Sequence, residues 1–223
     1  MSIKFQRGKR ASAVSIIGGA DGPTSIFIAG KSKKPNLAEG LRRRRARRKR
    51  AKVEASVTAG AHTLDEVIQY LKEKYHAIEV SDKRYSYKEQ YKCLRESLIV
   101  RWHPELLGEA AGIEELKSVD PASVKRVMRQ IELRSKAAEA VPDEQFPMDF
   151  HLYQVMIPEA GEIEFMIEKR WGVLTYSYTG KKGRVKRLEE IGREVHLYYG
   201  VSEEDIRDKT ERYESLITVL SME

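Results

Sequence analysis

At 223 residues, 41% hydrophobic and 34% charged, the chain is long enough for one sizeable core or two small ones. No segment approaches the roughly 18 to 20 consecutive apolar residues that cross a bilayer, and a single cysteine, Cys93, excludes an internal disulfide. The net charge of +7 is uneven: residues 1–62 hold 16 Lys and Arg against Asp21, Glu39 and Glu54, whereas the remainder holds 25 bases and 31 acids, so an acidic body carries a basic arm.

The amino terminus, Met-Ser-Ile-Lys-Phe-Gln-Arg-Gly-Lys-Arg, is basic, but the apolar stretch after it is broken at Gly18 and carries Asp21, unlike a secretory leader. Together with the cysteine usage this reads as a cytoplasmic chain. Residues 13–31 are the most particular stretch. Gly18, Gly19 and Gly22 permit positive φ and expose backbone amides, Pro23 stiffens the turn, and Thr24 follows it. Asp21 supplies a hard oxygen, and carbonyls freed by an irregular backbone would complete a cation site. The same residues also read as a β-hairpin, Val14–Ile17 against Ser25–Ala29, or as a portable recognition tag.

The string Gly18-Gly19-Ala20-Asp21-Gly22-Pro23-Thr24 resembles the motif in the membrane β subunit of sodium-translocating carboxylic-acid decarboxylases. The resemblance implies sodium handling by Asp21, with Gly18, Gly19, Gly22, Pro23 and Thr24 shaping its surroundings, and decarboxylase subunits as partners. This chain departs from that family in lacking its other membrane helices and the second polar motif that shares the ion.

Ser32–Gly40 reads as a polar linker into Arg42, Arg43, Arg44, Arg45, Arg47, Arg48, Lys49 and Arg50, eight like charges in nine residues. Arginine, alanine and lysine favour helix, yet the charges repel, which predicts disorder or a frayed helix that orders on an anionic partner. Such a cluster neutralises several phosphates with little reading of sequence. No aromatic residue interrupts it, so base stacking has no support. Nucleic acid or another polyanion is the partner these residues imply, with the sodium-linked reading of Asp21 as the alternative.

Val53–His62 reads as a small-residue spacer. Thr63 and Glu66 form a capping box, and Leu64, Val67, Ile68 and Leu71 continue a helix to Tyr75. His76–Val80 reads as a short strand or turn. Helical spacing returns over Tyr85–Trp102, with Cys93 expected to pack, and Pro104 marks its end. One or two short helices interrupted by Gly108 and Gly112 are expected over Glu105–Lys117. Asp120 and Pro121 start a helix running to about Ala140.

From Pro142 the texture becomes aromatic and β-branched, predicting strands over 149–157, 162–168 and 172–178 joined as an antiparallel meander. Helices over Val185–Tyr199 and Ser202–Ser221 are available to cover it. The expectation is an α+β protein: a flexible basic arm (1–62), a helical domain (63–141) and a small three-stranded α+β domain (142–223). Phosphate-binding, dinucleotide, His-Glu-x-x-His and nucleophile-elbow motifs are all missing, and the five histidines are scattered, which points away from an enzyme. No cofactor is indicated apart from sodium at Asp21.

Overall fold

A computed structural model of the chain describes residues 11–19, 22–30, 37–114, 120–180 and 183–221. The protein is α+β and divides into two compact units: the described residues of Met1–Asn36 with Lys88–Pro147, and Leu37–Tyr87 with Met148–Glu223. Composition suggests boundaries near 62 and 141. The division falls differently because residues 37–87 pair and pack with the carboxy-terminal segment.

In that second unit, β3 (Ile78–Glu79), β4 (Phe150–Ile157), β5 (Gly161–Glu168) and β6 (Val173–Gly180) form an antiparallel sheet in the order β3-β4-β5-β6. The expected meander is present, and the segment that reads as either strand or turn adds a fourth strand through Glu79 opposite Tyr153. Alternation directs Tyr153, Phe165 and Tyr176, neighbours in register, to one face. Two helices cover that face: α2 (Leu64–Tyr75) through Leu64, Val67, Ile68 and Leu71, and α5 (Val185–Tyr199) through Leu188, Ile191, Val195 and Tyr199. Each fully buried side chain of this kind, such as Val67 or Leu71, contributes about 1.5–3 kcal/mol. The helix that shares the sheet face with α5 is thus α2, not the last helix of the chain.

The capping box at Thr63 forms as the spacing requires: Glu66 N donates to Thr63 Oγ1 at 3.2 Å, and Thr63 N donates to Glu66 Oε2 at 2.7 Å. Ser202 and Asp205 repeat the device at α6 (Glu203–Asp208). Where the spacing predicts one helix over 202–221, the chain breaks at Lys209, whose φ of 49° is left-handed, and restarts as α7 (Glu211–Ser221). Thr210 holds the break: its Oγ1 donates to Asp205 Oδ1 at 2.5 Å, and its carbonyl accepts from Glu214 N at 2.9 Å.

Between α5 and α7, Gly200 ends the first helix with φ 58° and ψ −161°, a region nearly closed to other residues. There the strand-like segment 60–62 runs against 199–201, with Gly60 N donating to Val201 O at 2.9 Å and His62 N donating to Tyr199 O at 3.0 Å. Arg212 fastens this junction, donating to Gly200 O at 2.8 Å, to His62 O at 2.7 Å and to Tyr199 O, while its guanidinium lies 3.7 Å from the Tyr199 ring centre. The supposed spacer is therefore an anchored strap.

The other unit holds β1 (Ala11–Gly19) and β2 (Gly22–Gly30), most of α3 (Tyr85–Trp102), a 3-10 helix (Pro104–Ala111) and α4 (Pro121–Ala140). Helix α4 starts as Asp120 and Pro121 predict, with Ser123 N donating to Asp120 Oδ1 at 2.9 Å. Its far end is closed by Arg95, which is 5% exposed and donates to Ala138 O at 2.6 Å and Val141 O at 2.8 Å. The 3-10 helix kinks at Gly108, one of the two expected interruptions, and residues 115–117 of that expected segment lie outside the described residues. Cys93 is exposed on α3; the buried positions of that helix are Arg95, Leu98 and Ile99.

Candidate polyanion-binding helix

Residues Leu37–Ser56 form α1, a helix of 20 residues where charge repulsion predicts disorder or fraying. Two features of the sequence offset the repulsion. Arginine, alanine, leucine, lysine and glutamate all carry high helix propensity, and Arg50 Nε pairs with Glu54 Oε1, one turn on, at 2.8 Å. A third lies far away in the chain. Val53 and Val57 pack on a small core of Val201, Tyr213, Leu216 and Ile217, and Arg50 Nη2 reaches Glu214 Oε2 on α7 at 2.6 Å. The hydrogen bond to Glu214 raises the Arg50 pKa above its ordinary value. The second half of α1 is thus docked on α7, and the strap 60–62 continues the attachment.

Every position from Leu41 to Arg48 is exposed, and exposure falls to intermediate at Lys49 and Arg50. Of the eight cations singled out by the sequence, Arg42, Arg43, Arg44, Arg45, Arg47 and Arg48 lie on the exposed half, whereas Arg50 is engaged with the carboxylates of Glu54 and Glu214. Turning about 100° per residue, Val53, Val57 and Arg50 share one side, and Arg44, Arg45, Arg48 and Lys52 share the opposite side. Lys52 is not among the expected residues; its spacing of four from Arg48 is the signal that adds it.

The hairpin predicted for residues 14–29 is present, with Val14 opposite Ile28, Ile16 opposite Ile26 and Ile17 opposite Ser25. Gly18, Gly19, Gly22, Pro23 and Thr24 lie in its two strands near the turn. Asp21, the residue expected to bind a cation, lies outside the described residues. Among the described residues, no group of three or more His, Cys, Asp or Glu side chains is placed to hold a metal ion, and no helix is long and apolar enough to cross a membrane.

The histidines have structural surroundings. His196 is 3% exposed, its Nδ1 facing Gly192 O at 2.9 Å and its Nε2 facing Leu174 O at 3.3 Å, and burial lowers its pKa. His62 stacks on Tyr198 with ring centres 4.0 Å apart, and Tyr198 stacks on Tyr70 at the same distance. Beside them Glu194 accepts from Lys74 Nζ, from Tyr75 Oη at 2.6 Å and from Tyr70 Oη at 2.7 Å, which holds its carboxyl down at about 2. The group ties α2 to α5, with both carboxylate oxygens already occupied.

No protein-family model matches the chain, and neither the curated proteins nor the solved structures contain a significant match.

Proposed function

We propose that this chain is a non-enzymatic interaction protein of the cytoplasm that binds nucleic acid or another polyanion through α1. The observation that carries the reading is the unbroken exposure of Leu41–Arg48 on a helix whose other half is docked. A docked helix presents its charges without the ordering cost of a free arm, and residues 63–223, with 25 bases against 31 acids, repel anions on balance. The test is retention of the full chain on an anionic polymer resin. The unaltered protein is expected to elute only at raised salt, and a variant with Arg42–Arg45 and Arg47–Arg50 replaced by glutamine is expected in the flow-through. Equal retention of the two proteins overturns the proposal.

The glycine-proline motif at residues 18–24 favours a second reading, an accessory of a sodium-translocating decarboxylase. Its test is sodium-dependent protection of the Gly18–Thr24 amides from hydrogen exchange; identical exchange in sodium and potassium buffers removes it.

A further inference from the structure

Arg42, Arg43, Arg44 and Arg45 are consecutive on a helix, so they leave its axis about 100° apart and occupy four different quadrants. Arg47 and Arg48 fill two of the gaps one turn later. All of these positions are exposed, so arginines emerge from this stretch of α1 around its entire circumference. A flat anionic partner, such as a bilayer or the acidic face of a protein, meets one side of a helix and leaves the other charges in solvent. A groove walled by phosphates on both sides meets opposite sides of the helix at once.

We propose that the first half of α1 inserts into the major groove of B-form DNA, making double-stranded DNA the polyanion of this chain; this rests on the polyanion-binding reading above. The dimensions agree. A helix with its side chains is about 10–12 Å across, and the major groove of B-form DNA is about 12 Å wide and 8.5 Å deep. The corresponding groove of A-form RNA is deep and narrow and shuts side chains out. The eight residues Leu41–Arg48 rise about 12 Å, enough to pass both phosphate walls. Ala46 is the only uncharged residue between Arg42 and Arg50, so amide side chains that read adenine are missing there and recognition is mainly of backbone shape and charge. The acidic body, residues 63–223, is repelled by the same phosphates, which keeps binding to the basic arm.

Fluorescence anisotropy of the full chain tests this against a mixed-sequence DNA duplex, its component single strand, the same duplex as RNA, and phosphatidylserine-containing vesicles at equal salt. The expected order places duplex DNA about tenfold or more ahead of each competitor, since only it walls the helix with phosphates on opposite sides. Two double variants add a geometric reading, and glutamine keeps the helix intact. Arg42→Gln with Arg44→Gln removes opposite sides, and Arg44→Gln with Arg48→Gln removes one side. Removing one phosphate-neutralising arginine weakens binding about fivefold near 0.15 M salt, so insertion into a groove predicts a weakening of about thirtyfold for both pairs. A flat interface predicts about fivefold for the first pair and about thirtyfold for the second, which overturns the groove. RNA duplex, single strand or vesicle bound as tightly as duplex DNA also overturns it while leaving polyanion binding intact; failure of the unaltered chain to bind an anionic resin overturns both.

Discussion

Replacing Gly200 by alanine probes the junction that anchors the basic helix. An added Cβ would lie 1.9 Å from the carbonyl oxygen of Gly60 and 3.0 Å from its carbonyl carbon. Both are backbone atoms, and Gly60 is held by the 2.9 Å bond from its amide to Val201 O. The oxygen must retreat by about 1.5 Å to restore ordinary van der Waals separation, which breaks that bond at a cost of about 1 kcal/mol. The backbone at φ 58° and ψ −161° adds about 1–3 kcal/mol of strain once a side chain is present. The expected destabilisation is about 3 kcal/mol, read as a fall in the urea midpoint of the full chain by circular dichroism. Gly60→Ala is the control, because its Cβ meets nothing within 4 Å, and it should stay within about 0.5 kcal/mol of the parent. A Gly200→Ala protein within about 1 kcal/mol of the parent would refute the close approach of the strap to the end of α5.

Three further perturbations test the packing around that junction and in the other unit. Gly192→Ala places a Cβ 2.3 Å from Cζ of Tyr176, whose ring is flanked by Phe165, Tyr178 and His196; overpacking of about 1–3 kcal/mol outweighs the gain of about 1 kcal/mol in helix propensity, so the thermal midpoint should fall. Glu194 has its folded pKa lowered to about 2 from 4.5, so its contribution is present above about pH 4.5 and disappears as pH falls toward 2. Because its side chain is 37% exposed, screening reduces the contribution to about 1 kcal/mol; Glu194→Gln should flatten the acid limb of a plot of urea midpoint against pH by that amount and leave the limb unchanged if the cluster is loose. Arg95→Ala strips the carbonyls of Ala138 and Val141 of buried charged donors, an expected destabilisation of about 3 kcal/mol by denaturant titration, whereas a change under about 1 kcal/mol would contradict the closure of α4 by this residue.

Features whose physics is local were legible in the sequence. Thr63 with Glu66, Ser202 with Asp205, and Asp120 with Pro121 satisfy helix amino termini within three residues of themselves, and each lies where its spacing puts it. The alternation of Ile163, Glu164 and Phe165 likewise marks a half-buried strand, because the period follows from the pleat. Features decided by distant partners were not legible. Arg50 and Glu214 are 164 residues apart, so nothing near the arginine run shows that its helix is clamped. Lys209 has no glycine or proline to mark the break between α6 and α7, and the left-handed turn there follows from Asp205 and Thr210 bonding across it. The pairing of β3 with β4 orders a segment only two residues long, too short for any periodicity to declare. The exposed arginines were legible as a charge run, while the division of that run into an exposed half and a docked half required the fold.

Whether the exposed arginines of α1 grip phosphates is decided by the salt dependence of duplex binding. Six arginines, Arg42–Arg45 with Arg47 and Arg48, lie on the exposed half of α1. If each neutralises one phosphate, the logarithm of the association constant should fall against the logarithm of salt concentration with a slope of about −5. Replacing all six by glutamine should bring the slope to shallower than about −1. A slope near −5 that vanishes with those six residues is the expected outcome; a shallow slope in the unaltered chain, or a steep one that survives their replacement, would contradict polyanion binding by α1.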